Sequence, residues 1–143
     1  MGEHNYIQIQ TEGNIAIVTI NRPPVNAFCE EMRNDLSDFF ESLNNRTDIY
    51  AVILRAEGKG FSGGHDLEES RSPDPELRSR IQPTISRSTN ALYNCRVPVI
   101  AAVHGYVVGM GFAYASICDI IVASDDARFM FPEIKVGTVG GPF

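Results

Sequence analysis

Hydrophobic and polar positions along this chain follow two periods, and the switches between them mark its elements. Tyr6-Ile7-Gln8-Ile9-Gln10 and Ile15-Ala16-Ile17-Val18-Thr19-Ile20 are strand-like runs, and Glu12-Gly13-Asn14 between them is turn chemistry, which predicts a β-hairpin. Asn21-Arg22-Pro23-Pro24 then ends the sheet, because proline brings no N–H to a ladder. From Asn26 onward, Phe28, Met32, Leu36, Phe39, Phe40 and Leu43 form a helical stripe, with Glu30 and Glu31 in its first turn. A helix packed by one face on the sheet is expected. Residues 49–54, 97–103 and 120–123 are short apolar runs of the kind that make buried strands, and the first empties into Glu57-Gly58-Lys59-Gly60. Strands alternating with helices predict an α/β fold of βαβ units.

Residues 69–76, with Ser-Arg-Ser-Pro-Asp-Pro at their centre, read as a polar, mobile loop. Leu77, Ile81, Ile85 and Leu92 resume a helical stripe, in which Pro83 should introduce a kink or mark the true start. There is no internal repeat. The last residues, Gly137-Thr138-Val139-Gly140-Gly141-Pro142-Phe143, look like a turn leading to another helix, so the expectation is a single domain over 1–143 that is incomplete at its C-terminus.

Composition narrows the function classes. A 143-residue chain that is 43% hydrophobic and 21% charged is ordinary globular material. A net charge of -6 with scattered Lys and Arg argues against a nucleic-acid partner. Cys29, Cys95 and Cys118 are an odd count without close pairs, which fits free thiols better than disulfides or a zinc site. The start has no basic and apolar leader pattern, and no apolar run is long enough to span a bilayer, so a cytoplasmic protein without a membrane partner is expected. No phosphate-binding Gly-Lys-Ser/Thr loop, no metal-ligand spacing and no Gly-x-Gly-x-x-Gly after the first strand is present, which weakens a Rossmann reading.

The chemistry concentrates in two glycine-rich turns. Phe61-Ser62-Gly63-Gly64-His65-Asp66-Leu67 is one, and Gly109-Met110-Gly111, after the strand that ends in His104-Gly105, is the other. A turn that opens a helix leaves backbone N–H groups unpaired and aimed at a ligand. Two such turns can make an oxyanion hole.

Asn21-Arg22-Pro23-Pro24-Val25-Asn26-Ala27-Phe28, the first glycine-rich turn, Pro98-Val99-Ile100-Ala101-Ala102-Val103-His104-Gly105-Tyr106, Cys118-Asp119-Ile120 and Pro132-Glu133-Ile134 resemble, in order and spacing, the crotonase superfamily of enoyl-CoA hydratases and isomerases. The resemblance implies a crotonase-type spiral of βαβ units, acyl-CoA thioester substrates, no cofactor beyond the coenzyme A that the substrate carries, and homotrimers or dimers of trimers. It implies that the backbone N–H groups of His65 and Met110 hold the oxyanion and that Glu133 is a catalytic carboxylate. Backbone and side-chain groups of Val25, Ala27, Gly63, Gly64, Asp66, Leu67 and Gly109 would line the path of the substrate. Asp66 also suits an N-cap, Asp119 a structural role, and His104 a hydrogen-bonded turn.

One position departs from the pattern. Hydratases of this family carry a second glutamate where this chain has Ala113, and the pair of carboxylates holds the water that is added. One-carboxylate isomerisation survives that loss best, so an isomerase-like or hydratase-like enzyme is the expectation. A decarboxylase or hydrolase that uses the His65 imidazole is the first alternative. A non-catalytic coenzyme A-binding member of the family is the second, and Ala113 is the feature that favours it.

Overall fold

The computed structural model describes residues 6–133. Its main sheet has five strands in the order β1-β2-β3-β4-β6: β1 (Ile7–Glu12), β2 (Ile15–Ile20), β3 (Ala51–Ala56), β4 (Val99–Val103) and β6 (Ile120–Ala123). β1 and β2 form the expected antiparallel hairpin, closed at Gly13 with φ +57°. β2, β3, β4 and β6 run parallel. Buried side chains explain the apolar runs of the first three: Ala16, Val18 and Ile20 of β2, Val52 and Leu54 of β3 and Val99, Ala101 and Val103 of β4. β6, expected as a buried strand, is instead the edge of the sheet and exposes Ile120, Ile121 and Val122, which no described residue covers.

Helix α1 (Glu30–Ser42) lays Met32, Leu36, Phe39 and Phe40 on this core. It begins later than the stripe predicts, because Asn26 sits in the left-handed region at φ +51° and its side chain ties the preceding loop to the rest of the fold. Its amide donates to the carbonyls of Glu57 (2.7 Å) and Gly60 (3.1 Å), while its oxygen accepts from the Arg22 N–H at 2.8 Å. Two polar residues, Arg33 and Ser37, lie on the buried face of α1.

The segment expected as a mobile loop is mostly helical. α2 (Leu67–Arg71) occupies its first half and α3 (Pro75–Tyr93) begins before its end. The sequence reading failed because Glu69, polar in isolation, is drawn inward by Arg33 (Nη2–Oε2 2.8 Å). α3 starts with Pro75 at its first turn, where a missing N–H costs nothing, and Asp74 caps it by accepting from the Glu76 N–H at 2.9 Å. Pro83 therefore neither opens the helix nor ends it; its exposed ring is carried inside α3.

A second, two-stranded sheet was not foreseen. β5 (Tyr106–Val108) and β7 (Arg128–Met130) pair in parallel across the short helix α4 (Met110–Ile117) and β6. Three-residue strands carry too little pattern to be read from sequence. Among the described residues the three cysteines are free thiols, and no helix is long and apolar enough to cross a membrane.

Candidate active site

The first glycine-rich turn is fixed by its backbone. The Gly63 N–H donates to the Val25 carbonyl (2.7 Å), the Phe28 N–H to the Gly64 carbonyl (2.8 Å) and the Asp66 N–H to the Phe28 carbonyl (3.1 Å). Phe28 and His65 are thus bridge partners in a parallel pairing. In that pairing the bonds run to the residues on either side of His65, so its own N–H points away from Phe28. That N–H meets no acceptor among the described residues. Ser62 staples its own turn to the Asn26 loop: its hydroxyl donates to the Asn26 carbonyl at 2.7 Å and accepts from the Gly64 N–H at 3.0 Å.

The second turn closes onto the first. The Ser62 N–H donates to the Tyr106 carbonyl at 3.1 Å, and the Val108 N–H donates to the Ser62 carbonyl at 2.9 Å. Gly109, the N-cap of α4, has φ +50° and ψ -116°, and its N–H donates to the Met130 carbonyl at 2.8 Å. The first intrahelical bond of α4 runs from the Ala113 N–H to the Gly109 carbonyl (3.0 Å), which leaves the Met110 N–H at the open end of the helix. Met110 packs its side chain against the core, so thioether bulk stays off this end. The two turns are in contact: a methyl group on Gly64 would stand 3.1 Å from the Val108 carbonyl oxygen and 3.7 Å from the Met110 nitrogen.

Glu133 lies at the same place. Its Oε1 is 2.5 Å from where a methyl group on Gly109 would sit, which places the carboxylate beside the α4 N-terminus. Phe112, Phe129 and Phe131 build an edge-to-face cluster just ahead of it, with ring centroids 5.4 and 4.8 Å apart from Phe112. Ala113 is buried one helical turn beyond Gly109. Ile134 of the Pro132-Glu133-Ile134 motif lies outside the described residues.

The remaining site residues form a rim and its supports. Val25 and Leu67 are exposed beside the first turn. The Ala27 carbonyl accepts from Arg22 Nη1 at 3.0 Å. Asp66 caps α2 by accepting from the Glu68 N–H at 2.8 Å and pairs with Arg22 at 2.6 Å. Asp119 accepts from the Val99 N–H at 2.8 Å, and the His104 Nε2 is 2.9 Å from the Gly58 carbonyl oxygen.

The His65 imidazole is half-buried. Both ring nitrogens are shielded and reach no partner among the described residues. Burial pushes its pKa down, the Arg33 guanidinium adds to that, and Glu69 and Asp66 oppose it. The ring is therefore held neutral.

Three contributors escaped sequence reasoning. Ser62 could have been suspected from its place directly before Gly63-Gly64. Arg33 and Glu69 left no local signal, since each looks like a solvated helix residue until the other is placed. A surface depression of about 600 Å³ lined by Arg22, Glu30, Asp35 and Glu69, among others, opens on the α1 side and includes none of Gly109, Met110 and Glu133.

Comparison with known proteins fits this geometry. Residues 10–143 match the family model described as enoyl-CoA hydratase/isomerase. The chain is 41% identical over 130 residues to a (7aS)-7a-methyl-1,5-dioxo-2,3,5,6,7,7a-hexahydro-1H-indene-carboxyl-CoA hydrolase of Mycobacterium tuberculosis, covering 90% of this chain and 53% of that protein. It is 32% identical over 136 residues to a probable enoyl-CoA hydratase of Mycobacterium bovis, covering 94% and 52%. The solved structure of Pseudomonas aeruginosa DspI superposes with a TM-score of 0.90 at 31% identity, covering 98% of this chain and 54% of that one. The chain thus spans about half the length of the curated relatives it matches. With its two converging glycine-rich turns and a family match from the first strand onward, the chain belongs to the enoyl-CoA hydratase/isomerase family, within the crotonase superfamily.

Proposed function

We propose that this site carries out proton-transfer chemistry on acyl-CoA thioesters through an enolate, with isomerisation of a double bond as its leading reaction. The observation that carries the reading is the contact of the two glycine-rich turns, whose His65 and Met110 N–H groups find no acceptor among the described residues, with the Glu133 carboxylate beside one of them. Negative charge that develops on a thioester carbonyl oxygen is stabilised by donors already in place. In a 3-enoyl-CoA, Glu133 removes a proton from the α-carbon, the electron pair spreads over the carbonyl and the double bond, and the same carboxylic acid returns the proton to the γ-carbon. One carboxylate is enough for that sequence, and Ala113 supplies no second one.

Hydration remains a weaker member of the same reading, because a water would be positioned from one side only. The rim residues Val25, Ala27, Gly63, Asp66 and Leu67 suit the pantetheine and adenine parts of coenzyme A, and no further cofactor enters. Association into trimers accords with the apolar side chains of Ile120, Ile121, Val122, Phe129 and Met130, all of which are exposed.

Hydrolysis is the second reading. Two relatives, at 41% and 39% identity, are named hydrolases of an indene-carboxyl-CoA, and a neutral His65 ring has the protonation state a general base needs. The test is turnover of 3-enoyl-CoA, crotonyl-CoA and methylmalonyl-CoA, with release of free coenzyme A followed in parallel, by the wild type and by Glu133→Gln. Conversion of 3-enoyl-CoA that disappears in Glu133→Gln supports isomerisation, and Ala113→Glu should then raise hydration of crotonyl-CoA. Free coenzyme A released by the wild type and lost in His65→Gln would favour the hydrolase. Binding of coenzyme A without any turnover would overturn both in favour of a binding protein.

A further inference from the structure

The Arg33–Glu69 pair is built more elaborately than the stability of α1 and α2 requires. Arg33 is fully buried, and each arm of its guanidinium has an acceptor: Nη2 donates to Glu69 Oε2 (2.8 Å), Nη1 to the Phe28 carbonyl (2.9 Å) and Nε to Thr84 Oγ1 on α3 (2.9 Å). The other Glu69 oxygen accepts from the Glu30 N–H at the start of α1. Taking two charges out of water costs as much as their attraction returns, so an apolar pair of the same volume would hold the helices equally well. Something other than stability fits the arrangement better.

The shared atom is the Phe28 carbonyl. It accepts from Arg33 on one side and from the Asp66 N–H on the other, while the Phe28 N–H donates to the Gly64 carbonyl. The two peptides that flank His65 are thus both hung on Phe28, and Phe28 is hung on Arg33. The Phe28 carbonyl holds the His65–Asp66 peptide and the Phe28 N–H holds the Gly64–His65 peptide that carries the His65 N–H, so a shift of Phe28 would turn that N–H with it. We infer that Arg33, oriented by Glu69 and Thr84, is a positioning residue for the oxyanion turn, setting the direction of the His65 N–H through the Phe28 carbonyl. This rests on the proposed enolate chemistry. Arg33 touches no substrate; it fixes a donor that does. A donor misplaced by an ångström can lose up to about 100-fold in rate, so the pair sets kcat and leaves the binding of the coenzyme A portion alone.

Arg33→Lys tests this, because lysine keeps a cation beside Glu69 but cannot donate to Phe28, Thr84 and Glu69 with one planar group. The readouts are kcat and KM on the substrate converted in the panel above, and the carbonyl stretch of a bound, carbonyl-labelled acyl-CoA, which falls in frequency when an oxyanion hole polarises it. The protein is used as it is expressed from its own gene. The wild type should show the shifted carbonyl; Arg33→Lys should lose most of the shift and about 10-fold or more of kcat, with KM held. Glu69→Gln, which keeps an acceptor for Arg33, should retain an intermediate shift and decides the question by the same criterion if Arg33→Lys does not fold. A wild type without any carbonyl shift would overturn the enolate reading and this inference together. A shifted wild type matched by equally shifted, equally active variants would overturn the inference alone and leave the oxyanion hole standing.

Discussion

Replacing Gly64 with alanine separates geometry at the oxyanion hole from stability. Gly64 has φ +103°, a conformation that costs an L-residue about 1–3 kcal/mol. The added methyl group would also stand 3.1 Å from the Val108 carbonyl oxygen, closer than ordinary contact, and backbone on both sides has little room to yield. The turn can relieve this only by rotating the Gly64 and His65 peptides, and that would turn the His65 N–H away from the proposed oxyanion position. Losing one such donor raises the barrier by about 3–4 kcal/mol, or about 100- to 1000-fold in kcat. Urea unfolding should report a stability loss of about 1–3 kcal/mol, within what a domain tolerates. Gly13→Ala is the matched control, since Gly13 also has positive φ (+57°) but an added methyl group meets nothing within 4 Å. It should cost about 1–2 kcal/mol of stability and leave kcat unchanged. A folded Gly64→Ala protein with wild-type kcat would refute the reasoning, because the turn would then be no part of an oxyanion hole.

Two further outcomes follow from neighbouring groups. The His65 pKa is depressed below its ordinary 6.5 in the folded protein, so the unfolded chain binds a proton more readily. Its contribution is present above about pH 6.5 and is lost as pH falls below that; Tm followed from pH 7.5 downward should drop more steeply for the wild type than for His65→Gln, and parallel curves would show that the ring stays solvated. Asp66→Ala removes both the cap of α2 and the partner of Arg22, and urea unfolding should register a loss of about 1–2 kcal/mol, with Asp66→Asn recovering the cap share; an unchanged midpoint for the alanine variant would mean that α2 does not need its cap.

Much of the architecture was legible because its signals are local. The hairpin, the stripe of α1 and the apolar runs of β3, β4 and β6 each declare themselves within a few residues, and the structure moves their ends by only a few positions. The two glycine-rich turns were legible because only glycine takes the backbone angles at Gly64 and Gly109. What failed was anything that needs a distant partner. Glu69 read as loop because its partner Arg33 is 36 residues earlier, and the buried role of Arg33 left no local signal. β5 and β7 make a sheet only once α4 and β6 have been placed between them. Pro83 reads as a kink or the true start of its helix, yet α3 starts eight residues earlier at Pro75 and carries the exposed proline inside it.

The two N–H groups of the proposed oxyanion hole belong to the main chain, and that separates importance from side-chain identity. Every residue but proline supplies the same N–H at positions 65 and 110, which is how a histidine and a methionine can stand there. What the proposed geometry constrains is instead a neighbour that touches no substrate, such as Gly64, whose positive φ and close approach to Val108 disfavour any residue with a Cβ. On the proposed chemistry, side chains at 65, 110 and 113 can change without removing either donor, while the turns depend on glycines that a search for reactive side chains would pass over.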